Sequence, residues 1–178
     1  MALSASIFKV NIYISNMDTH FYQEFDLTMA QHPSEGVDRM MYRLLAFIHS
    51  AHEDLKFTQG LSNVDEPEIW QMNLTGDILH WIELGLPDEK RIKQAAGKSQ
   101  KVSIYTYHKN KALKWLPKII EKFSANDKVN IYSLDIIENA PIEKLADKSM
   151  KLTCMIEDNI MYLANDDQRI GIKLTKDL

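Results

Sequence analysis

Four carboxylates lie close together in the middle of this chain: Asp65, Glu66 and Glu68 in "DEPEIW", and Glu83 in "WIELG". Acids forced together at the edge of an apolar face repel unless something neutralises them. They can share a proton, hold a divalent cation through several oxygens, or meet a cation of the protein. Arg39, Arg43 and Arg91 are the arginines available to Glu83. The cation solution leads to phosphodiester chemistry, because Mg²⁺ or Mn²⁺ activates water and offsets charge on a leaving oxygen. Oxygen ligands without sulfur or a well-placed imidazole favour those ions over zinc. Glu35 could join the cluster from the first helix. Lysines stand nearby: residues 90–122 hold ten of the 21 Lys and Arg and one acid, Glu121, in a chain of net charge −4. A basic window in an acidic protein marks a surface for anions.

The pattern around these residues predicts the elements that place them. "DEPEIWQMN" and "DILHWIELG" flank "LTG" as a hairpin. A two-residue turn at Thr75–Gly76 pairs Met72 with Leu79, Trp70 with Trp81 and Glu68 with Glu83. Asp88 caps a helix over 88–97 that carries Lys90, Arg91 and Lys93. Upstream, 6–15 and 21–30 alternate as strands. Ser34 caps a helix whose apolar stripe is Val37, Met40, Met41, Leu44, Leu45 and Ile48. Downstream come a strand in "KVSIYTY", a helix interrupted near Pro117, a strand in "VNIYSLD", a short helix after Pro141 and three closing strands.

The order of elements predicts an α/β (α+β) protein. It has a mixed β-sheet flanked by helices and a second small antiparallel sheet from the N- and C-terminal strands. The length fits a single domain over 1–178. Cys154 is the only cysteine, reads as a buried strand residue, and excludes an intrachain disulfide. With no membrane-length apolar run and no signal-peptide pattern, a cytoplasmic location is expected. His49 and His52 complement a helix C-terminus. His80 alternates opposite to Glu83 and is not counted as a ligand. There is no G-x-S-x-G, P-loop or G-x-G-x-x-G sequence.

"HPSEGVDRMMYRLLAFI", "DEPEIW", "WIELGLPDEKRIKQA" and "YTYH" resemble, in order, the bacterial YaeQ family. The resemblance implies a variant of the PD-(D/E)XK restriction-endonuclease-like fold. It makes Glu35 the helix acid, Asp65 the first strand acid and Glu83 the first residue of (D/E)XK. Gly85 stands where that motif has lysine, so the basic group comes from the next helix, with Lys93 preferred over Lys90. Asp65, Glu83 and Glu68 are then the metal ligands, and Lys90, Arg91 and Arg39 the phosphate or nucleic-acid contacts. Two functions follow. One is a Mg²⁺- or Mn²⁺-dependent nuclease or phosphodiesterase. The other is a non-catalytic member that keeps the fold and binds nucleic acid or protein, which Gly85 favours.

Overall fold

The computed structural model describes residues 4–59, 63, 65–138 and 140–178. They form a mixed α+β structure. Its elements are β1 (Ser6–Asn16), β2 (Phe21–Gln31), α1 (Val37–His49), β3 (Leu55–Phe57), β4 (Ile69–Met72), β5 (Ile78–Leu84), α2 (Glu89–Lys98), β6 (Ser99–Thr106), α3 (Lys109–Phe123), β7 (Val129–Ile136), a 3-10 turn (Ile142–Leu145), β8 (Ser149–Glu157), β9 (Ile160–Ala164) and β10 (Arg169–Lys176). The chain divides into two compact units, Met1–Ile48 with Asp135–Leu174, and His49–Leu134 with Thr175–Leu178.

In the first unit the strand order is β2-β1-β8-β9-β10. β1 and β2 form an antiparallel hairpin over their full lengths, from Ser6↔Gln31 to Asn16↔Phe21. Inward positions of β1 are Phe8, Val10, Ile12 and Ile14, all buried, as strand alternation requires. The expected small sheet of terminal strands was to be antiparallel, but β1 runs parallel to β8 (Ile12↔Leu152). Alternation reports which face is buried, and says nothing of strand direction. Within this unit Ile137 N–H also donates to Gly171 O at 3.0 Å.

In the second unit the order is β7-β6-β5-β4-β3. β5, β6 and β7 are parallel, joined by α2 and α3. Both helices cover one sheet face. There Trp81, Ile92, Ala95, Val102, Ile104, Ile119, Phe123 and Ile131 make one buried core. The Trp81, Val102 and Ile104 side chains all point that way because residues two apart in a strand share a face. β4 and β5 pair as Ile69↔Ile82, Trp70↔Trp81 and Gln71↔His80, which keeps the predicted register of the tryptophans. The Met72–Leu79 pairing fails: a bulge after Gln71 sets Met72 opposite Ile78. The turn is longer than two residues, because Asn73 Oδ1 accepts the N–H groups of Thr75 (3.0 Å) and Asp77 (2.8 Å). Such Asx closure competes with a tight hairpin.

α3 runs unbroken through Pro117, where an interruption was expected. Pro117 is exposed, and Ala112, Ile119 and Phe123 anchor the helix on both sides of it. Among the described residues no helix is long and apolar enough to cross a membrane.

Candidate functional site

Glu83 lies on the Trp81 side of β5, and one oxygen of its carboxylate is occupied. Oε1 accepts the Trp81 indole N–H at 2.6 Å and the Arg91 Nε–H at 2.7 Å. The Arg91 guanidinium also donates to the Glu66 carbonyl and lies 5.1 Å over the Trp81 ring. Asp88 Oδ1 accepts the backbone N–H of the same Arg91 (2.7 Å), the cap expected for α2. One arginine therefore ties the hairpin, the loop before β4 and the start of α2 together. Burial pushes the Glu83 carboxyl above its ordinary range; Arg91 and Trp81 pull it down without cancelling that rise, and the charge of Glu68 adds to it. Glu68 is buried beside it, its N–H donating to Ile82 O at 3.0 Å. The predicted proximity of these two acids is therefore present.

The remaining predicted residues are placed differently. Asp65 is exposed in the loop before β4, and its N–H donates to Asn63 Oδ1 at 3.0 Å. Lys93 is exposed on α2, where its Nζ meets Glu89 Oε1 at 2.6 Å. Lys122 from α3 also reaches Glu89, and these two lysines, Lys122 foremost, hold that carboxyl down at about 2. Lys90 is exposed and makes no ion pair among the described residues. Glu35 belongs to the first unit, in the turn before α1 rather than in the helix. Gly36 O accepts the Met40 N–H, so α1 starts there, while Ser34 hydrogen bonds to His32 instead of capping. The Glu35 oxygens are taken by Arg39 (2.7 Å) and Arg43 (2.9 Å), and the Glu35 side chain is 2% exposed. Arg39, read as a phosphate contact, is thus committed to Glu35.

These residues do not offer a divalent cation a ready donor set. Glu83 Oε1 is taken by an indole and a guanidinium, and both Glu35 oxygens by guanidiniums. Among the described residues no three His, Cys, Asp or Glu side chains gather as metal ligands. Gly85 stands where the resemblance places a lysine. Its φ is +95° and its N–H donates to Tyr105 O at 2.8 Å. A lysine adopts that backbone poorly.

Sequence reasoning passed over a second polar group. His49 was read as a charged partner of a helix end. It is instead held down to about 4, by burial first and by Lys101 second, so it is neutral at pH 7. Its Nδ1 lies 2.7 Å from the Tyr105 hydroxyl. His80 is buried with Nε2 2.8 Å from Ser103 Oγ, and burial with the charges of Lys101 and His49 holds it down to about 3. The available signal was the alternation in "KVSIYT", which sends Lys101, Ser103 and Tyr105 to the face opposite Val102 and Ile104. Cys154 is buried as read, and burial pushes its thiol up to about 12.

Known proteins are similar to this chain over nearly its whole length. The chain is 38% identical to the YaeQ protein of Escherichia coli strain K12 over 98% of this chain and 97% of that one. It is 39% identical to the YaeQ protein of Salmonella typhi with the same coverage. The crystal structure of the YaeQ protein from Xanthomonas axonopodis pv. citri superposes with a TM-score of 0.90 at 31% identity, covering 97% of this chain and 98% of that one. That from Pseudomonas syringae superposes at 0.87 and 29%, covering 97% and 95%. The family model described as YaeQ protein matches residues 1–174, and the chain belongs to the YaeQ family.

Proposed function

We propose that the chain is a nucleic-acid-binding protein on a variant of the PD-(D/E)XK fold, working in the cytoplasm, and that the phosphate backbone lies on the outer face of α2 and α3. One observation carries this reading. Both helices pack on the same sheet face and are tied together, by Trp115 Nε1–H to Pro87 O (2.9 Å) and by the Lys122–Glu89 ion pair. Their exposed lysines therefore belong to one surface: Lys90, Lys93 and Lys98 on α2, and Lys109, Lys111, Lys114, Lys118 and Lys122 on α3. Glu89 and Glu121 are the only acids on these helices. Such a surface takes a polyanion by releasing its counterions.

The test is oligonucleotide binding as a function of salt. Log K should fall with log salt by about 0.7–0.9 for each phosphate contacted. Changing Lys111, Lys114 and Lys118 together to Gln should flatten that slope by about 2. Absence of binding at low salt, or an unchanged slope in the triple variant, overturns the proposal.

A second reading is a Mg²⁺- or Mn²⁺-dependent nuclease using Glu35, Asp65, Glu83 and Lys93. The observation in its favour is the buried Glu68–Glu83 proximity. It requires Arg91 to leave Glu83. Calorimetric titration with Mn²⁺ tests it: binding that disappears in Glu83→Gln supports it, and no binding by the parent removes it.

A further inference from the structure

The first unit turns one face of β2-β1-β8-β9-β10 to solvent. Strand pairing traces two rows of side chains across that face. One is Glu24, Tyr13, Thr153, Ala164 and Arg169; the next is Tyr22, Ser15, Met155, Tyr162 and Gly171. The alternate residues of the same strands, such as Ile12, Ile14 and Cys154, are buried on the other side. Nine large hydrophobic side chains are exposed among the described residues, and six of them gather on this outward face. They are Ile7, Tyr13, Met17, Tyr22, Ile137 and Met155, each 38–50% exposed. Met17 joins the face through the Tyr22 hydroxyl, which lies 3.4 Å from its Sδ. Ile137 joins by covering Gly171, where a Cβ would come within 3.0 Å of it. Single exposed apolar residues are ordinary, but a contiguous group on one face marks an interaction surface.

The charges on this face say what covers it. Acids stand on the β2 edge, Glu24 and Asp26, and bases on the β10 edge, Arg169 and Lys173. Asn11 Nδ2 donates to both acids, at 2.8 and 2.9 Å, and Arg169 lies 4.9 Å over the Tyr162 ring. None of the four makes an ion pair among the described residues. Within one copy the two edges lie four strand spacings apart, roughly 19 Å, too far to meet. A polyanion laid on this face would run onto the acids. A second copy, turned about a two-fold axis along β8, meets the opposite sign at both edges. That rotation lays β2 over β10, β1 over β9 and β8 over itself. Glu24 then faces Arg169 of the second copy. Tyr13 faces Ala164 and Tyr162 faces Ser15, large against small. Tyr22 faces Ile137 above Gly171, and Met155 faces Met155. Lys151 and Glu157 meet their own copies only towards the two ends of β8, where water and salt screen them. Five strands by the eight residues of β10 give roughly 600 Å² in projection, and side-chain relief brings this towards the roughly 800 Å² per partner of a standard interface.

We propose that the chain forms a two-fold dimer through this face, with the two sheets packed face to face, their strands aligned and β8 on the axis. The surface is separate from the lysine face of α2 and α3, and the proposal does not depend on nucleic-acid binding there.

Sedimentation velocity on the full chain tests it. At about 50 μM the parent should sediment as a dimer, since interfaces of this size hold at μM or tighter. Tyr13→Lys, a change at an exposed residue, should weaken association about tenfold or more and leave the thermal melt of the monomer unchanged, because its ammonium would be buried against Ala164 of the second copy. Glu24→Arg alone and Arg169→Glu alone should each weaken association about tenfold or more by setting like charges opposite each other. The two together should restore it. Only a contact between copies gives that rescue, because the two residues do not meet within one. A monomer at about 50 μM, a dimer indifferent to Tyr13→Lys, or a charge swap without rescue overturns the proposal. A monomeric parent whose oligonucleotide binding falls in Tyr13→Ser would assign the face to nucleic acid and overturn it as well.

Discussion

Replacing Arg91 by Met should destabilise the fold in a way that depends on pH. The substitution removes the cation that meets Glu83, whose side chain is 9% exposed. Left alone, the buried carboxylate takes up a proton instead of staying charged. The ordinary value for this carboxyl is 4.5. Protonating it at pH 7 therefore costs at most about 3.4 kcal/mol, from 1.36 kcal/mol per unit, and at pH 5 at most about 0.7 kcal/mol. The lost bond to the Glu66 carbonyl and the lost contact with Trp81 add about 2 kcal/mol at either pH. For 178 residues the unfolding entropy is roughly 0.37 kcal/mol per degree, so the pH-dependent part alone lowers Tm by up to about 9 °C at pH 7. Urea melts of parent and variant at pH 7 and pH 5 measure it. Adding Glu83→Gln to Arg91→Met should erase the pH dependence of the difference. A loss of stability equal at both pH values would refute the reasoning, because it would mean that Arg91 does not neutralise Glu83.

Acid should weaken the parent through two imidazoles, half-buried His49 and buried His80. Unfolded histidines protonate near 6.5 while the folded ones wait until about 4 and about 3. Their contribution is complete above 6.5 and falls by about 1.4 kcal/mol per pH unit for each as pH drops. His80→Asn should remove its share of that slope in melts between pH 7 and 5. Gly85→Ala should cost about 1–2 kcal/mol of stability by the same melts, from backbone strain alone, since an added Cβ meets nothing within 4 Å at φ +95°. Cys154 should resist alkylation in the native protein and react on unfolding, with mass spectrometry as the readout.

Much of the frame was legible in the sequence where one period dominates. Trp70 and Trp81 pair as read, and Asp88 caps α2, because cross-strand aromatics and an Asx before a helix are local signals. The short strand Leu55–Phe57 was missed, since three residues carry no period. The bulge at Met72 was missed because side-chain bonds of Asn73 decide the turn, and composition does not reveal them. The acid pair was legible, but what neutralises it was left open. The residues offered three arginines, and spacing alone could not choose Arg91 over Arg39 and Arg43 for Glu83. His49 was misread because a helix-end histidine looks alike whether it meets water or Tyr105. Its neutrality comes first from burial and second from Lys101 of β6, far along the chain.

The parallel pairing of β1 with β8 has a consequence for how the chain is made. Ile12 neighbours Leu152, 140 residues later. At about 5–20 residues per second, roughly 7–30 s separate the synthesis of the two. A β1–β2 hairpin can close within microseconds, so it waits with one long edge of β1 unpaired. That edge alternates Phe8, Val10, Ile12 and Ile14, an invitation to other strands. Yield at high expression should therefore depend on what shields β1 during that interval, and slowing translation between β2 and β8 should favour aggregation over native protein.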